Sequence, residues 1–152
     1  MMGFGEAIAS VYRNYANFRG RARRSEYWFF ALFWVIVVLG LCVVYVLLAT
    51  TGSRDMQLPE PGYGHSGAEF LQMGFVGLAL LVLLLGNIIP SLAVSVRRLH
   101  DLNASGWWLL LFMVVGLIPL IGSLVTLGQI VWFCMPGTAG DNQYGPDPKV
   151  AG

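Results

Sequence analysis

The chain has 152 residues, of which 57% are hydrophobic and 11% charged, and its net charge is +1. Soluble domains run at roughly 45–50% and about 25%, and a chain of this length cannot hide such an apolar excess from water. A soluble globular fold is therefore excluded. The few basic residues adjoin apolar runs, which disfavours a nucleic-acid surface.

The first element expected is a helix over residues 4–18, FGEAIASVYRNYANF, with Phe4, Ile8, Val11, Tyr12, Tyr15 and Phe18 at helical spacing. Glu6, Ser10, Arg13, Asn14 and Asn17 fall on its other face. An amphipathic helix just ahead of an apolar run reads as one lying in the membrane interface, the alternative being a short helix packed on the protein's own cytoplasmic face. Gly20 breaks the pattern after Arg19, and Arg21, Arg23 and Arg24 follow.

Three uncharged runs come next, at 27–49, 70–96 and 107–135. About 20 apolar residues cross a hydrocarbon core of roughly 30 Å, so each is long enough to span. Inside lipid a helix satisfies its own backbone polar groups. The expected fold is an all-α integral membrane protein, a single membrane domain over 1–152 with three transmembrane helices behind the interfacial helix. A cleaved signal peptide is a poor reading of the first run, whose 23 residues exceed a signal core of about 7–15. Cys42 and Cys134 lie in apolar runs and read as small buried hydrophobes, with no disulfide framework and no metal-ligand spacing.

The loop over 50–69 is rich in Gly and Pro, and its His65 is isolated. In the second run Asn87, Ser91 and Ser95 recur every four residues. In the third, Gly116, Pro119, Ser123 and Thr126 do the same at three-to-four spacing. Such stripes of small, weakly polar residues suit close packing between the two helices. Pro90 is expected to bend the second helix.

Between these runs lies "SVRRLHDLNASGWW", residues 95–108. If the helix continues past Val96, Arg97 and Asp101 are one turn apart and can pair. Asn103 can end that helix, Ser105 can cap the next, and Gly106 relieves the turn before Trp107. His100 and Asp101 are the available acid-base pair, but neighbours on a helix point about 100° apart, and no nucleophile motif or phosphate loop accompanies them. An enzyme is not indicated.

The third run is ambiguous. Pro119, between Gly116 and Gly122, permits either one kinked crossing or two half-helices folded back as a hairpin. Trp107 and Trp108 open the run and Trp132 and Phe133 close it, about 37 Å apart on a straight helix, which matches two interfacial belts. That spacing favours a single crossing, with the tail from Pro136 outside. Seven of the nine Lys and Arg flank the first run's start and the second run's end; against three acids they leave +4, whereas the 50–69 loop carries −2. Basic short loops stay in the cytoplasm, so the N-terminus is expected there.

"FRGRARRSEYW" at 18–28, "RRLHD" and "SGWW" within 97–108, "IPLIG" at 118–122 and "NQYGPDP" at 142–148 together resemble the bacterial inner-membrane family of the domain of unknown function 805. The resemblance covers nearly the whole chain. It implies a small multi-pass inner-membrane protein and no particular reaction or cofactor. The outer loop looks longer than is usual in that family, and Gln143 stands where an arginine is common.

The function expected is a membrane-embedded binding or scaffold module. Arg19, Arg21, Arg23, Arg24, Arg97 and Arg98 would form a cytoplasmic cluster for an anionic phospholipid or an acidic partner protein. The alternative is a subunit of a homo-oligomeric transporter or channel lined by Asn87, Ser91 and Ser95.

Overall fold

The computed structural model describes residues 2–52 and 67–150. Residues 53–66 of the loop expected over 50–69, with His65 and Arg54, lie outside them, while 50–52 and 67–69 are helical. Among the described residues the chain is all-helical: α1 Phe4–Arg13, α2 Arg24–Gly52, α3 Gly67–Asp101, α4 Trp107–Gly116 and α5 Ile121–Cys134. They belong to two compact units, one of Met1–Ala31 with Ile89–Gly152, the other of Leu32–Ile88.

The Leu32–Ile88 unit holds the apolar bodies of α2 and α3. Leu39, Val43, Leu81 and Leu85 among others are more than half exposed on the bare chain, as expected of side chains whose solvent is hydrocarbon. Both helices are long and apolar enough to cross a membrane.

In the other unit, α1 is shorter than its periodicity suggests. The Glu6 carboxylate accepts the Gly3 N–H at 2.8 Å at its start, and Asn14 closes its end on the Ser10 carbonyl. Tyr15 and Phe18 therefore lie beyond it. Its inner face rests on the protein itself: Ala7 and Val11 are fully buried, while Phe4 meets Phe29 and Tyr12 meets Phe30 edge-on, with centroids 5.8 Å apart. Ser10, assigned to the outer face by periodicity, turns inward and donates to Glu26 at 3.1 Å. The expected interfacial helix over 4–18 is thus a ten-residue helix docked on its own chain.

α3 stays helical through Pro90 and ends where Asn103 takes the left-handed conformation, φ 57°, as read from the sequence. Ser105 Oγ accepts the Trp107 N–H at 3.4 Å, with Gly106 at the cap position of α4.

The single crossing expected over 107–135 is overturned. The run reverses between α4 and α5, and the two tryptophans assigned to opposite belts meet: the Trp108 and Trp132 centroids are 5.6 Å apart. Leu120, at φ 70°, turns the chain, and Gly122 N donates to the Ile118 carbonyl at 2.7 Å. A side chain at Gly122 would collide with the Gly116 carbonyl, so the glycine at 122 lets the arms close. Helices of 10 and 14 residues reach about 15 and 21 Å, short of a roughly 30 Å core. Among the described residues the fold has two long helices and a short hairpin rather than three full crossings.

The hairpin arms join α3 around Leu99, Leu109 and Phe133, with Tyr27 and Trp132 against them. Tyr27 stands edge-on to Phe133 at 4.8 Å. Among lipid tails such contacts gain by dispersion and close fit rather than by release of water.

Candidate functional site

Six charged residues in the Met1–Ala31 and Ile89–Gly152 unit are nearly inaccessible among the described residues: Arg98 at 0%, Asp101 at 3%, Arg97 and Glu26 at 4% and Arg21 and Asp147 at 8%. Buried charge persists only where it is paired and its remaining hydrogen-bonding capacity is met.

Asp101, the last residue of α3, takes two arginines. Arg21 meets its Oδ1 at 3.0 Å, and Arg98, one turn back, meets its Oδ2. Two guanidiniums on one carboxylate leave a surplus positive charge, which backbone carbonyls of the tail solvate. Arg98 donates to the carbonyls of Phe133, at 3.0 Å, and Met135. Arg21 donates to those of Thr138 and Gly140.

The tail in turn closes the end of α3. The last four carbonyls of a helix have no partner within it. Here Leu102 N takes Arg98 O, Ala104 N takes Leu99 O at 2.9 Å, and Thr138 N takes Asp101 O at 2.9 Å. Asn142 Nδ2 takes His100 O, also at 2.9 Å. Gly137 makes the approach feasible: a Cβ there would stand 2.8 Å from Asp101 Oδ1 and nearer still to Oδ2.

The tail holds its own shape through Asp147, which is buried and accepts the N–H groups of Lys149 at 2.9 Å and Gly140 at 3.0 Å. Those bonds hold its carboxyl below the usual value, the Lys149 N–H contributing most. Tyr144 lies flat on His100, with centroids 4.0 Å apart and planes 4° apart. His100 Nδ1 faces the Gly20 carbonyl at 3.2 Å.

The expected pairing of Arg97 with Asp101 does not form. Arg97 turns to Glu26 at 2.9 Å, because Arg21 and Arg98 already occupy the aspartate. The six arginines thus divide. Arg21, Arg97 and Arg98 are buried in ion pairs, and half-buried Arg23 donates to the Pro148 carbonyl. Arg24 is exposed and reaches the Cys134 carbonyl at 3.3 Å. Arg19 is exposed, with its backbone N–H on Asn17 Oδ1.

The tail expected on the far side of the membrane from "RRLHD" is hydrogen-bonded to it. Both chain ends meet the arginines on one face, because the hairpin returns to where it began. The hydroxyl stripe closes on its own helices: Asn87 Nδ2 donates to Leu83 O, Ser95 Oγ to Ser91 O, Ser123 Oγ to Leu120 O and Thr126 Oγ1 to Gly122 O, all at 2.7–2.8 Å. Cys42 and Cys134 are free thiols, exposed rather than buried on the bare chain. Sequence reasoning missed Glu26, Gly137, Thr138 and Asn142. Glu26 carried a signal as an acid standing beside the arginines, and Asn142 as the first residue of the "NQYGPDP" motif; Gly137 and Thr138 carried none.

The family model described as "Protein of unknown function (DUF805)" matches residues 15–146. Inner membrane protein YhaI of Escherichia coli strain K12 is 41% identical over 140 residues, covering 92% of each chain. Inner membrane protein YhaH of the same strain is 39% identical over 140 residues, 92% of this chain and 93% of its own. No solved structure matches. The relatives' names and the two long apolar helices together support a bacterial inner-membrane location. Ion-paired arginines at the ends of apolar helices, tied down by an "NQYGPDP" tail, are therefore the setting in which this chain belongs to the DUF805 family of inner-membrane proteins.

Proposed function

We propose that this protein is a membrane-embedded binding and scaffold module whose cytoplasmic face holds an anionic phospholipid through Arg19 and Arg24. The supporting observation is the sorting of the arginines: Arg21, Arg97 and Arg98 are spent on Asp101 and Glu26, whereas Arg19 and Arg24 are exposed. The face is assigned to the cytoplasm by its surplus of basic residues over the 50–69 loop. Each arginine near an anionic leaflet contributes about 1 kcal/mol, so the pair favours an anionic lipid roughly thirtyfold.

The test is retention of phosphatidylglycerol through delipidation, read by native mass spectrometry. Arg19→Gln with Arg24→Gln is expected to lower it while leaving the melting temperature in place. Unchanged retention removes the reading. The competing reading is a homo-oligomeric transporter or channel subunit lined by Asn87, Ser91 and Ser95; of these, Asn87 and Ser95 donate to carbonyls of their own helix.

A further inference from the structure

A groove of about 500 Å³ runs between α3 and α4, open along one side. Its volume lies within the roughly 300–1,000 Å³ of small-ligand sites. Leu92 and Val96 of α3 and Leu110 and Met113 of α4 wall its body, and His100 and Ser105 stand at its mouth. From Leu92 to His100 is eight residues, about 12 Å along the helix axis. The groove therefore changes along that axis from hydrocarbon to hydrogen-bonding groups, at the end of the unit where the ion pairs lie.

The chemistry of the mouth is set by bonds already made. The Gly20 carbonyl can only accept, so His100 Nδ1 carries the proton. That leaves Nε2 of the neutral ring as an acceptor. Ser105 Oγ accepts the Trp107 N–H and keeps its own proton to donate. Gly106 keeps the entrance clear: a Cβ there would press on Val96 Cγ1 at 2.8 Å and stand 3.6 Å from His100 Nε2. Among the described lining residues none is Lys, Arg, Asp or Glu, so the groove offers a net-anionic head group no ion pair.

We infer that this groove is a binding site for a single ethanolamine phospholipid. One acyl chain lies along Leu92, Val96, Leu110 and Met113. The ammonium donates to His100 Nε2, and the phosphate accepts from Ser105. An apolar trough opening on the bilayer is filled by lipid tails, and the acceptor at its mouth selects a head group with N–H donors. Choline phospholipids share the zwitterion but have no donor, and so provide the control. The inference does not depend on the arginine reading, and the test below separates the two, since Phe18, next to Arg19, also lines the groove.

The experiment adds phosphatidylethanolamine, phosphatidylcholine or phosphatidylglycerol of identical acyl chains to the delipidated full chain in mild detergent, with native mass spectrometry as readout. The wild type is expected to retain the ethanolamine lipid about tenfold better than the choline lipid, the worth of one charge-assisted hydrogen bond. His100→Asn keeps a donor for the Gly20 carbonyl but has no atom at Nε2, and is expected to bring the two lipids level. Met113→Trp, at a half-exposed position away from the ion pairs, is expected to lower retention of both. A phosphatidylethanolamine with a photoreactive acyl chain is expected to label 92–113. Equal retention of the two zwitterionic lipids by the wild type, no effect of Met113→Trp, or labelling elsewhere overturns the site. Phosphatidylglycerol held as tightly as phosphatidylethanolamine and displaced by Met113→Trp overturns the ethanolamine assignment. Arg19→Gln with Arg24→Gln is expected to lower the phosphatidylglycerol signal alone, which separates this outcome from that of the arginine reading.

Discussion

Arg21 and Asp101 are 80 residues apart in the chain and 3.0 Å apart in the fold. That bond joins the segment before the first long helix to the end of the second, and Arg98 makes it three-membered. Removing one partner of a buried ion pair costs about 3–5 kcal/mol, against a total stability of roughly 5–15 kcal/mol. Asp101→Asn is expected to leave two guanidiniums without their anion and to lower the melting temperature measured by fluorescence-detected size exclusion. Arg21→Lys is expected to lower it too, because an ammonium cannot fork onto Asp101 and two carbonyls at once.

Arg97 and Glu26 form a separate pair, suited to a double-mutant cycle. Arg97→Met alone leaves a buried carboxylate and Glu26→Gln alone a buried cation, each expected to cost about 3 kcal/mol. The double variant is expected to be more stable than either. Additive losses would show that the two side chains do not act on one another.

Gly137→Ala places a methyl group against the Asp101 carboxylate. The tail is expected to lift from the helix end, at a cost of about 1–3 kcal/mol. Limited proteolysis reads this as faster cleavage after Met135, with the membrane-embedded fragment unchanged.

Asp147 gives the docked tail a pH dependence. Its carboxyl titrates below the ordinary value because it accepts the Lys149 and Gly140 N–H groups. A group depressed in the folded state contributes stability above its unfolded pKa and loses it as pH falls through the folded one. Protection of the amides over residues 138–149, taken relative to their intrinsic exchange rate at each pH, is expected to fall in acid, below the ordinary carboxylate range. Asp147→Asn is expected to flatten that dependence.

Reporters fused at the two ends are expected to fall in one compartment, and a reporter at residue 58 in the other. Opposite compartments for the two ends would contradict the Arg23 bond to the Pro148 carbonyl.

The apolar runs made α2 and α3 legible, and Asn103 marked the end of α3 because few residues other than glycine tolerate a left-handed backbone there. The hairpin was legible only as one of two readings of the run around Pro119, and the less favoured one. Tryptophans at both ends of 107–135 fit two belts of one crossing as well as one belt met twice, and only the pairing of Trp108 with Trp132 separates these. Helical spacing could bring Arg97 or Arg98 to Asp101. The choice was made by Arg21 and Glu26, more than 70 residues away. The arginines read as a ligand cluster because most of their acceptors are main-chain carbonyls, which every sequence contains and none advertises.

Chain order gives the tail contacts a consequence for biosynthesis. Arg21 and its acceptor Gly140 are separated by 119 residues, about 6–24 s of translation at roughly 5–20 residues per second. Throughout that interval the guanidinium is without this carbonyl, although Asp101 precedes it by 39 residues. The side chain is therefore a bolt that slides fully home only when the ribosome has delivered the last stretch.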